Sequence, residues 1–152
     1  RTKSRGLGDV YKRQDKYYKP ELPLKLTKYL LKFANSSSDI SDGLIDDLLK
    51  MINRQNLSFH LFENKIPVSN KLSTLIKKQR LNKINLISNG DDYQVLFTAD
   101  IKKARIIQNA SKATGIKITK IGKIVSGKDR SLIFDEKGKQ IQAKSKGYIH
   151  QF

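Results

Sequence analysis

The chain has 152 residues, with 31 Lys and Arg against 14 Asp and Glu, a formal net charge of +17 and no cysteine. That length suits one domain with a real core. The absence of cysteine excludes a disulfide framework and a thiolate metal site, and no apolar run approaches the roughly 18 residues of a membrane-spanning helix or forms a secretory h-region, so a cytoplasmic protein without membrane contact is expected. Residues 1–14 (RTKSRGLGDVYKRQ) carry a net charge of +4, no initiator Met and little apolar periodicity. They are set aside as an adaptor-like, non-native scar, which makes the rest a fragment of a longer protein. Leu26, Tyr29, Leu30 and Phe33 recur at helical spacing and predict a helix from Leu24 to Ala34, broken by Asn35-Ser36-Ser37. A short strand over Ser38–Ile40 then leads into a second helix from about Asp42 to Asn53. Leu57 to Leu61 alternates as a strand does, and Ile66-Pro67-Val68 makes a bend. A third helix is predicted over Ser69–Gln79. A turn at Asn89–Asp92 precedes a strand over Tyr93–Thr98. Asp100 caps a helix that Gly115 ends after Thr114. Residues 116–125 are mostly extended with a break near Gly122, and 131–134 and 139–142 form a hairpin-like pair. Strands and helices mix without a strict βαβ rhythm, which predicts an α+β fold, helices packed on a mixed β-sheet.

The +17 charge admits a polyanionic partner. However, 24 of the 31 basic residues are Lys, scattered singly or in short pairs such as Lys77-Lys78, without the interleaved aromatics of a nucleic-acid surface. A basic, non-catalytic nucleic-acid-binding module is therefore the alternative and not the main expectation. With two His and no Cys a zinc site is not expected, and His60, in an alternating strand, reads as a surface histidine.

The stretch from Ser38 to Leu48 concentrates the chemistry. Asp39 and Asp42, with Ser41 and Gly43 between and after them, end a strand just where an amphipathic run begins (Leu44, Ile45, Leu48, Leu49, Ile52). Acids at a strand-to-helix turn can hold a metal ion, and the helix start can offer backbone N–H groups to a phosphate. The same residues also suit a helix simply capped by Asp39 or Ser41. Asp46 and Asp47, one turn on, read as solvated charges that favour the N-terminal end of the helix dipole.

Four segments in order resemble one family: Asp39-Ile40-Ser41-Asp42-Gly43-Leu44, Asn89 to Thr98 (NGDDYQVLFT), Ile121-Gly122-Lys123-Ile124, and Gly147 to Phe152 (GYIHQF). Thiamine-monophosphate kinases have DISDGL, GGEDYELLFT, an IGxI segment and a C-terminal G-aromatic-x-HF. The resemblance covers residues 17–152 and implies the C-terminal, substrate-binding domain of the aminoimidazole ribonucleotide synthetase-like fold, without the opening strand and glycine-containing loop of that domain. It also implies that the N-terminal ATP- and metal-binding domain, which carries the homodimer interface, is absent. The implied activity is ATP-dependent phosphorylation of thiamine monophosphate to thiamine diphosphate with Mg²⁺, the fragment alone being inactive. By the resemblance Asp39 and Asp42 bind Mg²⁺, Ser41 contacts ATP phosphate, Asp91 (where the family has Glu) contacts substrate, and Tyr148 stacks on the substrate's ring.

Overall fold

Leu26 and Phe33 sit two turns apart on α1 (Leu24–Phe33), the buried stripe of an otherwise solvated helix. The computed structural model describes residues 24–53, 55–87 and 94–142. After α1 come β1 (Ala34–Asp39), α2 (Leu44–Ile52), β2 (Leu57–Phe62), α3 (Asn70–Gln79), α4 (Lys83–Ile87), β3 (Val95–Ala99), α5 (Ala104–Thr114), β4 (Gly122–Ser126), β5 (Leu132–Phe134) and β6 (Gln140–Ile141).

The strands form two sheets. β1 and β3 pair antiparallel, with Ser37 opposite Phe97 and Asp39 opposite Val95. The second sheet has the order β4-β2-β5-β6 and is mixed: β2 runs antiparallel to β4 and parallel to β5, and β5 is antiparallel to β6. There are two apolar clusters, and the larger draws on both sheets, since it includes Leu96 of β3. Leu44, Leu48 and Ile52 of α2 pack with Phe59, Leu61, Ile84, Leu96 and Ile133. Leu26 and Phe33 of α1 pack with Ala110 of α5, and Phe97 lies against Phe33 with ring centroids 5.1 Å apart. The architecture is thus α+β, as the residue pattern predicts.

Several boundaries differ from that pattern. Asn35-Ser36-Ser37 does not break the chain into coil but lies inside β1, which starts at Ala34. The ladder to β3 supplies its backbone partners, and the Ser36 and Thr98 hydroxyls bond each other at 2.7 Å, so tertiary pairing overrides a polar composition. Residues 83–87, unassigned from sequence, form α4, whose Ile84 is fully buried. Lys83 Nζ donates to the Glu63 and Ile66 carbonyls at 2.7 Å each, and burial lowers its pKa. Of the extended 116–125 stretch only 122–125 enters a ladder. Asp100, expected to cap the helix that ends at Thr114, instead caps a three-residue 3-10 turn at Ile101–Lys103 by accepting from Lys102 N, and α5 begins only at Ala104 without a side-chain cap. Gly115 ends α5 in the left-handed region at φ 70°, as expected, and Ser69 caps α3 by accepting from Leu72 N. Asp135 Oδ1 closes the β5–β6 turn by accepting from Lys137 N and Lys139 N. The buried Ser58 hydroxyl ties β2 to the loop before β5, donating to Gly127 O at 2.6 Å and accepting from Arg130 N at 3.0 Å. The N-terminal 14 residues, the Asn89–Asp92 turn, Tyr93 and the C-terminal GYIHQF segment lie outside the described residues.

Gly122, opposite Leu61 in the β2–β4 ladder, is a glycine whose missing side chain the sheet requires. A Cβ there would stand 2.3 Å from the His60 carbonyl oxygen, a backbone atom that cannot step aside without moving β2. Gly122→Ala is expected to cost about 1–3 kcal/mol, the range for forced overpacking, read as a lower midpoint in urea unfolding at unchanged slope.

Candidate functional site at the β1–α2 turn

β1 delivers Asp39 to its exposed face at the last ladder position, opposite Val95. Ile40 then turns inward: its side chain is buried and its N–H donates to Gln94 O at 2.9 Å, continuing the β1–β3 pairing by one bond. Ser41 and Asp42 cross the top half-buried. Gly43 follows with φ 112° and ψ 149°, a backbone conformation essentially reserved for glycine. Its carbonyl accepts from Asp47 N at 3.0 Å, which starts α2.

α2 has no side-chain cap: its N-cap is Gly43, and neither Asp39 nor Ser41 fills that role. The loop is held from below. Asp47, 3% exposed, aims its carboxylate back at the loop and accepts from Ser41 N at 2.9 Å and from Asp42 N at 3.1 Å, both through Oδ2. Its other oxygen accepts from Lys50 Nζ at 3.2 Å, and the same ammonium bonds Asp42 Oδ2. Asp47 is therefore not the solvated helix charge expected from sequence. It is a buried anchor, hydrogen-bonded on both oxygens, as a carboxylate at that depth must be. Lys50 is the cation between the two acids; its bond to Asp42 is the main cause that raises its pKa, desolvation opposes the rise, and Asp47 adds to it.

Asp39, Ser41 and Asp42 thus fall within four consecutive residues of the β1–α2 connection, Asp39 on the exposed face of β1 and the other two half-buried. Ser41 N–H is committed to Asp47, so the Ser41 hydroxyl is the donor this residue can present outward. Asp91 and Tyr148, the two expected substrate contacts, lie outside the described residues. Asp47 and Lys50 were missed from sequence, although a signal existed: Asp47 shares the face of Leu44 and Leu48, and an acid inside an apolar stripe has to be buried and paired. Among the described residues no three His, Cys, Asp or Glu side chains gather as a metal cluster, and no helix is long and apolar enough to cross a membrane. His60 is half-buried and meets the Phe134 ring edge-on at 5.5 Å.

No protein-family model matches the chain. Curated relatives do. The thiamine-monophosphate kinase of Buchnera aphidicola (subspecies Acyrthosiphon pisum) is 34% identical over 122 residues, 80% of this chain and 37% of its own length. That of Caulobacter vibrioides is 26% identical over 138 residues, 89% of this chain and 39% of its own. Among solved structures, AaThiL complexed with AMPPCP and TMP superposes with a TM-score of 0.65 at 27% identity, covering 91% of this chain and 40% of the other. The chain therefore spans about two fifths of the length of each of these proteins.

Proposed function

We propose that this chain, which belongs to the thiamine-monophosphate kinase family, is a substrate-facing part of an enzyme that phosphorylates thiamine monophosphate at the expense of ATP. The observation that carries the proposal is the likeness over 91% of the chain to a structure complexed with AMPPCP, an ATP analogue, and TMP. In the reaction an oxygen of the acceptor phosphate bonds to the γ-phosphorus of ATP, the bond from that phosphorus to the β–γ bridging oxygen breaks, and ADP leaves with the electron pair. Both reactants are anions, so catalysis rests on placing them and screening their charge.

The β1–α2 turn suits that task. Asp39 and Asp42 are hard oxygen donors of the kind Mg²⁺ takes, and Asp42 already holds a cation, the Lys50 ammonium. These two residues are proposed to bind Mg²⁺, which when bound neutralises phosphate charge. Asp47 keeps the turn in shape by holding the Ser41 and Asp42 N–H groups. The Ser41 hydroxyl is proposed to donate to an ATP phosphate oxygen beside the uncapped start of α2. Asp91 and Tyr148 are proposed to contact the thiamine moiety, the acid meeting its positive charge and the aromatic ring stacking on its ring. The relatives are more than twice as long as the segment they share with this chain. The rest of the ATP and metal site, and a homodimer interface, are accordingly proposed to lie in a domain outside residues 15–152, in a cytoplasmic protein.

The test is a chimaera in which residues 15–152 replace the matching segment of the Buchnera aphidicola kinase. Thiamine diphosphate is expected to form from thiamine monophosphate and ATP, while the 152-residue chain alone gives none. A chimaera that unfolds cooperatively yet makes no thiamine diphosphate overturns the proposal.

A further inference from the structure

Lys50 places an ammonium among the acids of the β1–α2 turn. Its ammonium bonds Asp42 Oδ2 and Asp47 Oδ1 together, so it lies between the anchor of the turn and one of the two acids assigned to Mg²⁺. The two contacts differ in kind. Asp47 is buried, with its side chain 4% exposed, and its other oxygen is fixed by two backbone N–H groups. Asp42 is at the rim, its side chain 31% exposed. Lys50 itself is 58% exposed on a flexible four-carbon stem, so it can release Asp42 while staying on Asp47.

From this we infer that Lys50 is a built-in countercation for Asp42, which competes with the divalent ion for that carboxylate and sets the concentration at which the turn is loaded. The inference rests on the assignment of Asp39 and Asp42 as cation ligands. Without a divalent ion the ammonium keeps the acids of the turn from repelling one another. When an ion takes Asp42, the ammonium would remain on Asp47. Lys50 is thus a positioning residue, acting through Asp42 and needing no contact with the transferred group.

The experiment is a Mn²⁺ titration of the 152-residue chain, followed by paramagnetic broadening of the backbone amide signals of 39–43, a readout independent of turnover. Lys50→Met keeps a long side chain of similar helix propensity and removes the charge. It is expected to reach half-broadening at about two- to fivefold lower Mn²⁺, the effect of deleting one partly exposed ion pair. Lys50→Arg, which keeps the charge, is expected to titrate like the parent. Half-broadening of Lys50→Met at the same or a higher Mn²⁺ concentration overturns the role of Lys50 while leaving the two acids as ligands. Absence of broadening at these amides in parent and variants alike removes the ligand assignment, and the role of Lys50 with it.

Discussion

Asp39→Asn in the chimaera is expected to lower kcat by about 10²–10³-fold, the size of effect seen when one preorganised source of charge stabilisation is removed. Asn has nearly the shape of Asp and keeps the backbone ladder to Val95, so the strand survives. What goes is one negative charge on the exposed end of β1, where the proposal places a cation ligand. Because phosphate charge is redistributed mainly as the transferring group leaves ATP, the loss falls on the transition state, and the KM for thiamine monophosphate should move little. Steady-state kinetics with both substrates varied makes the test. A variant that keeps full turnover would return Asp39 to a surface position at the end of a strand.

The second large effect is on stability. Asp47→Ala is expected to lower the unfolding free energy by about 2–3 kcal/mol, because it strands the Ser41 and Asp42 N–H groups, at about 1–3 kcal/mol for each donor left unmade in a buried setting. Ser41 and Asp42 are only half-buried, so water recovers part of this. Lys50 adds little because it is mostly in solvent once Asp47 is gone. Asp47→Asn, which retains one acceptor oxygen, should lose less than the alanine variant. Urea unfolding compares the three, and an alanine variant within about 0.5 kcal/mol of the parent, the usual range for surface substitutions, would show that the anchor is dispensable.

These two residues also mark what could be read from the chain. Asp39 was legible because the turn motif is local: acids, serine and glycine fall at fixed offsets before an apolar helical run, and α2 begins two residues from where the pattern places it. The helices α1, α3 and α5 were legible because 3.6-residue periodicity and the Gly115 stop signal are contained in short windows. Asp47 was misread because an acid in the first turn of a helix suits the helix dipole, although its place on the face of Leu44 and Leu48 already pointed to burial. The strand character of Asn35–Ser37 was hidden because its partners are sixty or more residues away in β3. The five residues of α4 are too few for a period, and what settles them is the packing of Ile84 in the core of the other sheet. The likeness to thiamine-monophosphate kinases was visible from four ordered motifs, whereas Asp91 and Tyr148 lie outside the described residues, and their assignment rests on those motifs.

The bonds that close the turn onto Asp47 span only five and six residues, whereas those that Ser58 makes across the four-stranded sheet span 69 and 72. Closure entropy grows as (3/2)RT ln n, so joining the shorter loop costs about 2 kcal/mol less than joining the longer one. During synthesis, the acid-bearing turn and the first turns of α2 can therefore close on each other while the strand partners of β2 have yet to leave the ribosome. That corner needs only a dozen consecutive residues, whereas β1 and β2 wait for partners more than fifty residues further on.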